Sequence, residues 1–469
     1  MNTFDFGFDD FEDSPHEDPL EDLVAAYEND PSAYFDSGDL EEIASFYFEE
    51  GEMEKALDVI DHLIELHPYT SDAWMRRGIL LNNLGRPDEA LEAYEQALDV
   101  NPTDTETLIN LGITLDSLGR VDEALEAYDE ALSINPLHGE ALFNLGVTLE
   151  RDEQLGAAVE AFQRCADVYP EHPEVWYELG YCYDRLGEDE KSVEAYDNHL
   201  DLDPYSKDAW YNRGIVLNRL GRFGEAVESY DMALAIHDEF ASAYYNRGNA
   251  EANQGDLEAA IESYERVLEL EGPDAATYYN LALAYEEQGD LRAARTYYEK
   301  TLDLKSNYPE AWYGLGCCFD TDERPEEALE CFRYAVNLDA NVPKFWTARA
   351  DCAYKAGKLD EALEAYQHAV RLDESNEHAW TGYAETLLEK EQPEEALEAY
   401  REALELDPKS ANTYFRQAKA LLALGRADES IRALKTAFQL DPAKKEEFQK
   451  AYPTLYDNDR VRRLLDLDS

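Results

Sequence analysis

The sequence predicts an all-α stack of helix hairpins, and three observations carry that prediction. The chain copies itself at a fixed interval of 34 residues: Leu84–Pro102 reads LGRPDEALEAYEQALDVNP, and Leu118–Pro136 reads LGRVDEALEAYDEALSINP. Counted from Ser37, the same period runs to residue 444 as twelve copies without insertion or deletion. Within each copy, large and small residues keep fixed places. All six tryptophans (Trp74, Trp176, Trp210, Trp312, Trp346, Trp380) stand at position 4, and position 8 is Gly or Ala in every copy. A short unit that recurs and cannot bury its apolar face alone is the signature of a stacked repeat array.

Residues 1–17 alternate aromatic and acidic side chains, with Phe4, Phe6, Phe8 and Phe11 among Asp5, Asp9, Asp10, Glu12 and Asp13. Low apolar content and high charge predict a disordered acidic tail, with a short docking motif as the alternative. Residues 18–36 read as a capping helix: Asp18 at the N-cap, Pro19 in the first turn, then Leu20, Leu23, Val24 and Tyr27 on one face. In the repeats of residues 37–444, positions 4, 7, 8 and 11 and then 20, 24 and 27 recur at helical spacing, so each unit is two amphipathic helices. Small residues at 8 and 20 let the helices approach, and large ones at 4, 11 and 24 fill the space beside them. LGR or QGD near positions 14–16 makes the turn, and Pro at 32 closes the second helix. Five consecutive copies have Asp238, Gly272, Ser306, Ala340 and Glu374 in place of that Pro, and their turns are expected to differ. Residues 445–469 read as one or two helices closing the last apolar face, with Arg460, Arg462 and Arg463 as solvated arginines.

These residues, W-x2-L-G-x2-Y…A-x3-F…A…P, resemble the tetratricopeptide repeat family over 408 of the 469 residues. The resemblance implies a right-handed α-solenoid, a superhelix of helix-turn-helix hairpins. It also implies that the first helices line a concave groove and that the groove holds other proteins or peptides.

Composition narrows the partners. Against 105 acidic residues stand 40 basic ones, a formal net charge of −65. That field repels phosphate backbones and anionic headgroups, which argues against nucleic acid and membrane surfaces. Heavy acidity with scarce Lys is the pattern expected of a protein adapted to a salty cytoplasm. The six cysteines form no disulfide or zinc-ligand pattern, and those at apolar repeat positions act as small hydrophobes. The N-terminus lacks a signal-peptide pattern and no apolar run is long enough to span a bilayer, so a cytoplasmic location is expected. HExxH, P-loop and GxSxG motifs are missing, and the carboxylates are surface-periodic. The expectation is a protein that is not an enzyme and needs no cofactor or metal.

The binding surface follows from helical geometry. Positions 2, 5, 6, 9, 12 and 13 of the first helix share a face away from the packed positions. Position 6 is Asn110, Asn144, Asn212, Asn246 and Asn280, with Glu178 interrupting. An Asn amide has one acceptor and two donors, enough to pair with both groups of a peptide unit. The row resembles the asparagine ladder of O-GlcNAc transferases, although no stretch outside the repeats is long enough for a transferase domain. An ordinary repeat surface is the alternative. Position 5 adds Phe143, Tyr177, Tyr211, Tyr245, Tyr279 and Tyr313, which either face a guest or pack on neighbouring helices. Arg151, Arg185 and Arg219 form a column at position 13 that either receives a ligand's carboxylates or pairs with nearby acids such as Asp184. Chaperone-gripping carboxylate clamps use Lys at position 2, where this chain is mostly acidic, and Lys at 5 with Asn at 9, where Asn249 follows Tyr245, so none is expected. The reading is a scaffold that binds a protein or peptide in its groove, with repeats 3–9 the richest part. An assembly module acting through its termini or convex surface is the alternative, and self-association is left open.

Overall fold

Glycine and a ring meet at one place in most hairpins, and that meeting sets how closely the two helices pair. The computed structural model describes residues 19–465; the calls made on residues 1–18 and 466–469 lie outside it. At position 8, a Cβ on Gly78, Gly112, Gly146, Gly180, Gly214, Gly248 or Gly316 would fall 2.3–2.8 Å from the aromatic ring at position 24 of the same repeat. The rings are buried, with Tyr94, Tyr128, Tyr196 and Tyr230 at 1 % exposure or less. In two of the copies with alanine at position 8, the ring leans the other way. The Tyr298 ring, opposite Ala282, would meet a Cβ on Gly314 at 2.3 Å, and Tyr366, opposite Ala350, would meet one on Gly382 at 2.4 Å. Both glycines stand at position 6 of the following repeat, so one glycine is exchanged for another across the repeat boundary.

The helices form two compact units, Met1–Ile236 and His237–Ser469. In the first, Pro19–Asn29 precedes six helix pairs, from Ser37–Glu49 with Met53–Leu66 to Lys207–Arg219 with Phe223–Ile236. Val24 and Tyr27 of the leading helix join the core of the first repeat, and the Tyr27 hydroxyl lies 3.3 Å from His62 Nδ1. In the second unit, six pairs run from Ala241–Gln254 with Leu257–Glu271 to Ala411–Ala423 with Ala427–Leu440. Three short helices follow, Lys444–Ala451, Pro453–Tyr456 and Asp459–Leu465, one more than the sequence suggests because Pro453 opens a turn of its own. Phe448 and Leu465 bury themselves on the last repeat.

Every first helix packs on the second helix of its own repeat, and within each unit that second helix packs on the next first helix. Consecutive first helices also touch, as in the repeats of Asn110, Asn144 and Glu178 or of Asn246 and Asn280; among the described residues, neighbouring second helices make no comparable contact. The first helices therefore lie on the inner side of each unit, where the expected binding face is. This is an α-solenoid architecture in both units.

The turns hold one correction. Lys305, Asp339 and Asp373, which precede Ser306, Ala340 and Glu374, have φ near −140° and ψ of 84–100°. Asn101 before Pro102 has φ −131° and ψ 87°, so these turns keep the proline geometry. The indole supplies what proline does elsewhere. Trp312, Trp346 and Trp380 donate Nε1–H to the carbonyls of Ser306, Ala340 and Glu374 at 2.9, 2.8 and 2.9 Å. Trp74, Trp176 and Trp210 make the same bond to Pro68, Pro170 and Pro204 at 2.9–3.0 Å. Position 4 therefore latches the turn as well as filling space. Between repeats 7 and 8 the proline is displaced by one residue to Pro273 and the latch is missing: Tyr278 occupies position 4, the second helix runs on to Glu271, and Gly272 takes φ 85°. Within each repeat, the short turn places position 15 in the left-handed region. Gly fills it in nine copies, while Glu153, Glu323 and Glu391 hold it at φ 60°, 57° and 61°.

Candidate functional site

The face predicted from helical spacing lines a hollow at repeats 1–3. About 350 Å³ of space lies over Phe48, Ile60, Met75, Ile79 and Leu80. Its rim carries Glu49, Asp72, Arg76 and Glu106. Apart from Ile60 and Leu80, these residues stand at positions 2, 5, 6, 9, 12 and 13. Phe48 is the available signal in the sequence: most copies have Asn, Asp or Glu at position 12, and here a large ring is 41 % exposed. Arg76 Nε donates to Asp72 Oδ2 at 2.7 Å, one turn back on the same helix.

The Asn row divides by partner. Asn110 and Asn144 turn Nδ2 back onto their own helix, donating to the carbonyls of Glu106 and Glu140 at 3.0 and 2.9 Å. Asn212 Nδ2 reaches the Tyr177 hydroxyl of the previous repeat at 3.1 Å. In the second unit, Asn280 Nδ2 repeats this with Tyr245 at 3.1 Å and also donates to Asn249 Oδ1 at 3.1 Å. Asn246 and Tyr211 are half-buried. The tyrosine rings pack against the second helices of their own repeats. Tyr177 and Tyr211 pack their rings 5.8 and 6.1 Å from Tyr196 and Tyr230 of their own second helices. Tyr245 and Tyr279 pack 6.0 Å from Tyr264 and Tyr298. A phenol that accepts from an amide still has its own proton to donate. Burial pushes the Tyr177, Tyr245 and Tyr279 phenols above their ordinary pKa, so that proton stays on at neutral pH.

The arginine column is spent on neighbouring acids. Arg151 pairs with Asp116 and donates to its carbonyl, and Arg185 reaches Glu153 at 3.5 Å and the Tyr181 hydroxyl at 3.1 Å. Arg219 is held by both Asp184 and Asp189. Glu178, which breaks the Asn row, is half-buried; burial, with the Glu150 charge beside it, pushes its carboxyl up to about 7. The six cysteines are unpaired, and burial raises the five buried thiols, Cys182 to about 12. Among the described residues, no group of three His, Cys, Asp or Glu side chains converges to hold a metal, and no helix is long and apolar enough to cross a membrane.

Comparison with protein-family models agrees with a helical-repeat fold. Residues 69–136, 109–167, 153–207 and 208–240 match tetratricopeptide repeat models. Residues 237–452 match the model of the C-terminal domain of cilia and flagella-associated protein 70. Residues 69–240 are thus tetratricopeptide repeats, joined to a further helical-repeat segment. No curated protein matches the chain. Among solved structures it is similar to the MamA protein, 26 % identical over 36 % of this chain and 91 % of that one, TM-score 0.35. It is also similar to YrrB, described as a TPR protein with an unusual peptide-binding site, 27 % identical over 43 % and 99 % of the two chains, TM-score 0.36. A third is the C-terminal part of a TPR repeat-containing protein from Cytophaga hutchinsonii, 18 % identical over 51 % and 98 %, TM-score 0.45.

Proposed function

We propose that the chain is a non-catalytic scaffold that holds a polypeptide along the inner, first-helix face of its repeats. The observation that carries this reading is the pair Tyr177–Asn212 and its counterpart Tyr245–Asn280, each joining adjacent first helices. Each pair is fixed by its own hydrogen bond yet keeps hydrogen-bonding capacity in the Asn carbonyl and the phenol proton. A rigid donor–acceptor pair suits the backbone of an extended guest regardless of its side chains. At about 0.5–1.5 kcal/mol net per hydrogen bond, several such levels with modest side-chain help give roughly micromolar binding. Arg151, Arg185 and Arg219 contribute rigidity to this face through their acid partners. The test is panning a displayed random-peptide library against the chain and against the Asn→Ala variant at 110, 144, 212, 246 and 280. Selected peptides should lose at least tenfold in affinity to the variant while its helical circular dichroism persists. Equal affinity for both chains sinks the reading.

An assembly role through the outer surface has one observation of its own. Tyr69, Leu137 and Tyr205 are 87 %, 67 % and 80 % exposed at the same turn position of every second repeat in the first unit. Peptide or partner binding that survives the Asn variant but fails when these three become Ser favours that reading.

A further inference from the structure

We infer that the hollow of repeats 1–3 is a subsite for a bulky apolar side chain of a guest polypeptide with a Lys or Arg beside it. The inference rests on the first-helix face being the binding surface and adds the guest's chemistry. The floor of Phe48, Ile60, Met75, Ile79 and Leu80 offers nothing but apolar contact. A volume of about 350 Å³ is at the small end of ligand pockets, suited to one or two side chains. Phe48, 41 % exposed within it, gains by being covered.

The rim decides the guest's charge. Its one cation, Arg76, is tied to Asp72 at 2.7 Å. Among the described residues, no ion pair engages Glu49 or Glu106, which leaves two uncompensated carboxylates at the edge. Phosphate or acidic peptide would be repelled there, and an ammonium or guanidinium attracted. Guest side chains that bury an apolar body and keep a charged tip at the edge match both parts.

The test uses the full-length chain in 0.5 M KCl, where long-range attraction to its net charge is screened. Three labelled twelve-residue peptides are titrated by fluorescence anisotropy: two leucines flanked by lysines, the same leucines flanked by glutamates, and the lysine peptide with both leucines changed to Ser. The first should bind at least tenfold tighter than the other two. Glu49→Lys with Glu106→Lys, both on exposed positions, should weaken it about tenfold and improve the glutamate peptide. Ile79→Ser should weaken it in a chain of unchanged circular dichroism. The five-Asn variant should bind it with at most a small loss, which separates this subsite from the amide row. Equal binding of the Leu and Ser peptides would reduce the effect to charge and overturn the inference. A preference for the glutamate peptide, or for a synthetic peptide of residues 1–18, would overturn it in favour of an acidic occupant from the chain itself.

Discussion

Position 8 of the sixth repeat leaves no room for a methyl group. A Cβ on Gly214 would sit 2.6 Å from the Tyr230 ring, so Gly214→Ala must displace a buried ring and is expected to cost about 1–3 kcal/mol in urea unfolding. The turn at position 15 gives the opposite sign. Glu391 holds φ 61° where most copies have Gly, and Glu391→Gly is expected to stabilise the chain by about 1 kcal/mol, less the entropy that glycine adds to the unfolded state. No stabilisation from this change would contradict the assigned backbone. Glu178 ties a residue to pH. Its folded carboxyl titrates near 7, above the unfolded value, so its favourable contribution is complete below the ordinary carboxylate range and is lost as pH rises through about 7. Glu178→Gln should therefore stabilise at pH 8 by about 1–2 kcal/mol, discounted for partial exposure, and leave stability at pH 4 nearly unchanged. Equal effects at both pH values would mean that the carboxyl is not perturbed.

At the level of the hairpin, the turn is held by either of two devices. Trp312→Phe removes the bond to the Ser306 carbonyl, where position 32 carries no proline, and should cost about 1 kcal/mol. Trp210→Phe, next to Pro204, should cost less. Ser306→Pro in the Trp312→Phe chain should restore the loss, because Lys305 already has the extended backbone that a residue before proline requires. Failure of that rescue would show that the indole acts by packing alone. The hairpins themselves were legible in the sequence, because helix packing repeats side-chain size at fixed spacing and size is written in the residues. The latch was not, since its acceptor is a backbone carbonyl that every residue carries. The exchange of Gly248-type contacts for Gly314 and Gly382 was hidden for a related reason: it couples position 8 of one repeat to position 6 of the next. The first-helix face proposed for binding can be read from the sequence as a set of positions, but the level at which a hollow opens cannot. That depends on Phe48 and Met75 leaving space together, a matter of shape that spacing does not encode. Likewise, the Tyr177–Asn212 and Tyr245–Asn280 pairs join side chains 35 residues apart, and the sequence showed two separate columns.

For the whole chain, the net charge of −65 sets a self-repulsion that dilute buffer leaves unscreened. Thermal unfolding in 2 M KCl should occur well above its midpoint in 0.1 M KCl, by several degrees, since the Debye length falls from about 10 Å to a few ångströms. A midpoint that does not rise would argue that the carboxylates are already balanced by local pairs such as Arg86–Glu89. The same field would repel phosphate-bearing partners, and the scaffold reading proposes polypeptides as the guests. That claim is tested most directly by photo-crosslinking a library-selected peptide to the intact chain and mapping the adducts by mass spectrometry. Adducts on first helices, at positions 2, 5, 6, 9, 12 and 13, are the predicted result. Adducts confined to second helices, to the exposed turns of Tyr69, Leu137 and Tyr205, or to residues 19–36 and 444–465 would contradict it.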